Sequence, residues 1–152
     1  MIMCKEDILK LLEQIDFLNR SKILAETHKR DERKEISLSK EEIFNVIKKC
    51  GYVPKYNKAG NTYSATGKVS DIYKIKMVFE IKYSAIDFRW TVYENDKYIF
   101  GGPWLVIERT LAKDLDYRVG RPVYKSEEEF EEILSTAFQM FRDFQNLFPS
   151  IS

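Results

Sequence analysis

The sequence predicts an α+β domain: an antiparallel β-meander of three to five strands, packed by N-terminal helices and a long C-terminal helix. Three observations predict it. Apolar residues recur at helical spacing near both ends of the chain. From Tyr73 the apolar period changes to two and holds through Val92. Turn-forming residues then separate the alternating segments, as a meander requires. With 152 residues, 44% of them hydrophobic, the chain is long enough to bury a core as a single domain over 1–152.

The first element is expected as a helix over 5–26, where Ile8, Leu11, Leu12, Ile15, Leu18 and Leu24 share one face. The run HKRDERKE at 28–35 mixes charges of both signs and reads as a solvated helix end or linker. A basic contact through Lys29, Arg30, Arg33 and Lys34 is the sharper alternative, weakened by Asp31, Glu32 and Glu35. A second helix follows over 40–50. Ser39 is placed as its N-cap, Glu42 as the capping-box partner and Gly51 as the left-handed residue beyond its end. Residues 52–68 are rich in turn formers and read as a loop.

An antiparallel sheet is expected over 69–112. Opposite-charge pairing selects a register in which Tyr83 faces Ile86, Lys82 faces Asp87 and Glu80 faces Arg89, bringing Phe79 opposite Trp90. Through a turn at Asn95-Asp96, Glu94 then faces Lys97, Val92 faces Ile99 and Trp90 faces Gly101. Gly102 and Pro103 should end this ladder, since proline has no amide hydrogen to give it. The stretch WLVIERTL at 104–111 fits a strand or a helix, and period alone does not separate them. Residues 114–125 read as irregular, ending in a short strand at most. A final helix over 126–148 is capped by Ser126 with Glu129 completing a capping box, and it carries a stripe from Phe130 to Phe144.

Composition narrows function by exclusion. Twenty-five basic residues stand against 24 acidic ones, which gives no electrostatic case for a dedicated nucleic-acid binder. Cys4 and Cys50 form neither a disulfide framework nor a zinc motif, so a reduced, cytoplasmic setting is expected. No apolar run approaches a membrane span and no secretory leader is visible, so no membrane association is expected. His28 is the sole histidine and sits in the charged run, where a surface position is expected; this removes the usual catalytic triad and any multi-imidazole metal site. A carboxylate-only site could draw on Asp87, Glu94, Asp96 or Glu108, although Asp87 already has Lys82 as its expected partner. Neither GGP nor GNTYSATGK has phosphate-loop spacing. No catalytic residue, cofactor or metal is therefore expected, and the chain reads as a non-enzyme.

Three binding readings remain. Glu127, Glu128, Glu131 and Glu132 form an acidic patch suited to a basic protein partner, and Tyr52, Tyr56 and Tyr63 suit a protein contact. The same tyrosines with Lys55 and Lys58 could stack single-stranded nucleic acid. A pocket between the sheet and the last helix, near Trp90 and Trp104, could take a small molecule as binding protein or enzyme. The tryptophan-bearing sheet, the GGPW corner and the Glu-rich final helix, mostly over 70–148, give a layout that resembles immunity proteins of bacterial contact-dependent or polymorphic toxin systems. That resemblance implies a stoichiometric inhibitor that covers a toxin's active site or an adjacent surface. It brings no residue roles with it, and the near-neutral charge departs from the acidic members of such families.

Overall fold

The apolar periodicity of the N-terminal segment is realised as two helices rather than one: α1 (Lys5–Gln14) and α2 (Phe17–Thr27). In this computed structural model, which describes residues 3–30 and 35–148, the chain breaks at Asp16, which takes a left-handed conformation at φ 57°. Asp tolerates that region better than most residues. The Arg20 guanidinium donates to the Ile15 carbonyl left free at the break (3.1 Å) and pairs with Asp143 (2.9 Å), which ties the corner to the last helix. Phe17 is thereby seated in the core against Trp90 and Trp104. Of the basic run, Arg33 and Lys34 lie outside the described residues.

Helix α3 (Lys40–Lys49) forms as its signals dictate. The Ser39 hydroxyl accepts from the Glu42 amide (3.0 Å), the Glu42 carboxylate accepts from the Ser39 amide (3.0 Å), and Gly51 follows at φ 92°. The expected loop at 52–68 is instead a hairpin of β1 (Lys55–Asn57) and β2 (Thr62–Lys68). Its turn formers misled because they do two jobs. Asn57 and Asn61 shape the turn, while Tyr63, Ala65 and Gly67 point inward, and Gly67 passes close to the last helix, where a Cβ would meet the Gln145 side chain at 2.7 Å.

Strands β3 (Tyr73–Lys82), β4 (Ala85–Glu94) and β5 (Lys97–Pro103) complete a five-stranded antiparallel sheet in the order β1-β2-β3-β4-β5. The β3–β4 register differs by two residues from the charge-based expectation. Ile81 faces Ile86, Phe79 faces Phe88, Met77 faces Trp90, and Glu80 faces Asp87 with like charge. The turn decides it. Tyr83 and Ser84 form a two-residue turn with φ of 54° and 61°, the type I′ pattern that matches strand twist. Neither residue favours that region, and tertiary bonds hold them there. Arg30 Nη2 donates to the Tyr83 carbonyl (2.6 Å), the Tyr124 amide donates to the Ser84 carbonyl (3.0 Å), and the Ser84 hydroxyl donates to the Ile36 carbonyl (3.2 Å). Asp87 pairs with Arg121 at 3.4 Å rather than with Lys82, which offsets its like-charge neighbour.

The Asn95-Asp96 turn and the Glu94–Lys97 pair form as expected, but a bulge between Val92 and Tyr93 advances the rest of the ladder by one residue. Val92 faces Phe100 and Trp90 faces Gly102, while Gly101 faces Thr91. A Cβ on Gly101 would overlap the Trp90 carbonyl oxygen, and its φ of 133° is a conformation that side chains resist. The ladder runs on through Pro103, opposite Arg89, instead of stopping at Gly102. The WLVIERTL stretch is helical: α4 (Trp104–Ala112) starts directly after the strand, so the expected sheet over 69–112 in fact spans 55–103. Val123 makes an isolated bridge to Ala85.

Helix α5 (Glu127–Leu147) is capped by the Ser126 hydroxyl, which accepts from the Glu129 amide at 3.0 Å. The inward strand residues meet Phe17, Phe44, Trp104 and the α5 stripe in one continuous core. At its centre Phe144 stacks on Trp90 with centroids 5.2 Å apart.

Candidate functional site

Three features converge beside the start of β4. Helix α2 carries Ser21 and Ala25 on one face, because residues four apart share a helix face, and the segment just past its end carries Lys29 and Arg30. Helix α4 turns Trp104, Leu105 and Glu108 toward them for the same reason. The segment 118–123 closes over both and is pinned by the Ile86 amide, which donates to the Pro122 carbonyl at 3.0 Å. Between them lies a cavity of about 680 Å³, against about 140 and 210 Å³ for two other hollows of the molecule. That volume suits a small organic ligand.

The walls are mostly apolar: Ala25, Ile86, Phe88, Trp104, Leu105 and Val123. At the floor lies Glu108, only 4% exposed. Burial pushes its carboxyl above the ordinary carboxylate range, and the Ser21 hydrogen bond offsets only part of that effect. Among the described residues no cation pairs with it. The rim is of opposite character: Lys29, Arg30, Arg118 and Arg121 are exposed, against the single carboxylate of Asp87. The buried indole N–H of Trp104 also finds no hydrogen-bond partner among the described residues.

A network that composition could not reveal positions the rim. His28 is buried at 7% exposure, not at the surface as its charged neighbours suggest. Its Nδ1–H donates to Glu129 Oε2 (2.7 Å), and its carbonyl accepts from the Val123 amide (2.7 Å). Glu129 is not the capping-box partner of Ser126; its carboxylate accepts from the Lys125 amide (2.6 Å) and pairs with Lys125 Nζ (3.2 Å). Burial would raise the Glu129 carboxyl, but the bonds from His28 and Lys125 outweigh it and hold the group below its ordinary value. Lys125 Nζ also donates to the Lys29 carbonyl at 3.2 Å, so the end of α2 and the start of α5 are clasped together.

The residues singled out from sequence fall into separate places. Trp104 lines the cavity, whereas Trp90 sits 2% exposed in the core between Phe17, Phe144 and Trp104. The cavity lies beside α2 and α4 and not between the sheet and α5, where aromatic packing leaves no room. Asp87 and Glu108 share the cavity; Glu94 accepts from the Tyr73 hydroxyl (2.7 Å) and Asp96 pairs with Lys74 (2.8 Å) elsewhere.

Of the three tyrosines, Tyr63 is buried and Tyr52 and Tyr56 are half-buried. Tyr52 stacks on Phe138 at 5.0 Å and donates to Gln145 (2.9 Å), and Tyr63 stacks on Phe79 at 5.5 Å. Tyr56 lies 5.0 Å from Tyr63 beneath the Lys40 ammonium, with its hydroxyl donated to Asn61. Glu127, Glu128 and Glu132 are exposed, while Glu131 pairs with Lys49 at 3.3 Å. Among the described residues no three His, Cys, Asp or Glu side chains are grouped to hold a metal, and no helix is long and apolar enough to cross a membrane.

Comparison with protein-family models, curated proteins and solved structures finds no match to this chain, so the functional reading rests on the geometry above.

Proposed function

We propose that this chain is a small-molecule-binding protein whose ligand occupies the cavity between α2, α4, the start of β4 and segment 118–123. One observation carries the reading: about 680 Å³ of space walled by apolar side chains and ending on a buried carboxyl that has no cationic partner among the described residues. Packed interiors rarely leave such room, and a buried carboxyl bonded by one hydroxyl keeps further hydrogen-bonding capacity open to a ligand. Trp104 in the wall supplies an intrinsic reporter.

The test is a fragment screen read by thermal shift and tryptophan emission, repeated on Ala25→Leu, which fills the cavity from α2. Ligands of the cavity raise the melting temperature of the native chain and lose that effect in the filled variant. Equal stabilisation of both proteins by every hit would place the binding elsewhere. The alternative of an immunity-type, protein-binding inhibitor keeps the acidic start of α5 as its support, through Glu127, Glu128 and Glu132.

A further inference from the structure

The two ends of the cavity differ in charge, and this specifies the ligand more narrowly than volume does. This ligand assignment rests on the proposed binding cavity. Ser21 and Glu108 are its most buried polar side chains, and Lys29 and Arg30 follow the end of α2 at Thr27. Exposure gives the polarity of that axis. Glu108 is buried at 4%, whereas Lys29, Arg30, Arg118 and Arg121 are all exposed at the mouth. Arg30 donates to the Tyr83 carbonyl (2.6 Å), and Arg121 lies 3.4 Å from Asp87. The Lys29 backbone is held by Lys125 Nζ. Charge at the mouth of a low-dielectric cleft attracts ligands of opposite sign and orients them on entry.

We propose that the cavity binds an amphipathic organic monoanion, with its anionic group held at the mouth by Lys29, Arg30 and Arg121 and its apolar body lying against Phe88, Trp104 and Leu105 above Glu108. A second anionic group at the far end would be buried in the apolar floor with no cation to receive it among the described residues, so dianions of the same length are rejected. A cationic head is repelled at the mouth by four side chains against one.

Three probes with one apolar body separate these claims: octanoate, octan-1-ol and octylammonium, with octanedioate as the dianion. Titration is followed by tryptophan emission and calorimetry on the full chain. Octanoate should bind at least tenfold more tightly than octan-1-ol, with octanedioate and octylammonium weaker than either. Two hydrogen bonds to charged donors are sufficient for a tenfold difference. Lys29→Gln with Arg121→Gln should lower octanoate affinity to that of octan-1-ol and leave octan-1-ol unchanged. If octan-1-ol binds as tightly as octanoate, or octylammonium binds best, the anion assignment is overturned while the cavity reading stands. If none of the four binds, and none shifts the melting temperature, the cavity reading falls with it.

Discussion

Glu108 is a carboxyl in an apolar floor, and its burial has a consequence for stability that can be measured without any ligand. Because burial raises its pKa above the ordinary 4.5, the native state holds the proton over a pH window in which the unfolded chain has released it. The neutral carboxyl therefore contributes in full below about pH 4.5, and its contribution falls as pH climbs to the folded value and then stays level. Glu108→Gln replaces the acid with an amide that never ionises. The melting temperatures of the two proteins should converge at acid pH, and the variant should be the more stable above it. A variant less stable at pH 7 would mean that the ionised carboxylate has a favourable partner. Glu129 works in the opposite sense: its carboxylate is stabilised by His28 and Lys125, so its contribution is full above 4.5 and is lost as pH falls below that. Neither role was legible in the sequence. Glu108 sat in a segment where helix and strand fitted equally well, which left its face undefined, and Glu129 matched a capping-box position that its side chain does not fill.

Among the elements, those with strong local signals formed as expected, and those decided by distant contacts did not. Helix α3 carries its start and stop within its own residues, and the Asn95-Asp96 turn has suitable chemistry at both positions. The Tyr83-Ser84 turn has none, and Arg30, Ile36 and Tyr124 hold it from other parts of the chain. A register shift of two residues leaves the same faces inward, so the hydrophobic pattern could not discriminate and surface charge was too weak to decide. The β5 bulge is another case, with its reason visible only in three dimensions. Gly101 is the residue that tests it. An alanine there would be strained at φ 133° and would drive its Cβ into the Trp90 carbonyl. Gly101→Ala should destabilise the protein by about 3 kcal/mol or more, from strain and displaced backbone together. Gly102→Ala, which has a similar φ of 144° but no atom within 4 Å, should cost less. Urea unfolding of the pair separates close approach from conformational strain, and equal losses would assign the whole effect to strain.

At the scale of the whole molecule, one aromatic chain joins the C-terminal helix to the cavity. Phe144 on α5 stacks on Trp90 of β4, Trp90 meets Trp104 of α4 edge to face at 5.7 Å, and Trp104 stacks on Phe88 at 4.5 Å. Trp104 and Phe88 are cavity walls, so the core and the site share residues rather than adjoining one another. Phe144→Ala removes the end of this chain and should destabilise the protein by about 3–5 kcal/mol. Because the core is continuous, tryptophan emission and far-ultraviolet circular dichroism should follow a single transition in both proteins. Separate midpoints would mean that the sheet and helices unfold independently. The shared walls add a further requirement. A ligand that binds only the folded state stabilises it by about 2.7 kcal/mol at a hundredfold excess over its dissociation constant. Octanoate at that excess, with the constant measured on Phe144→Ala itself, should recover most of the lost stability if Trp104 keeps its place. Octanoate affinity that falls in the variant, with the rim untouched, would show that Phe144 supports the cavity wall through Trp90 as well as filling the core.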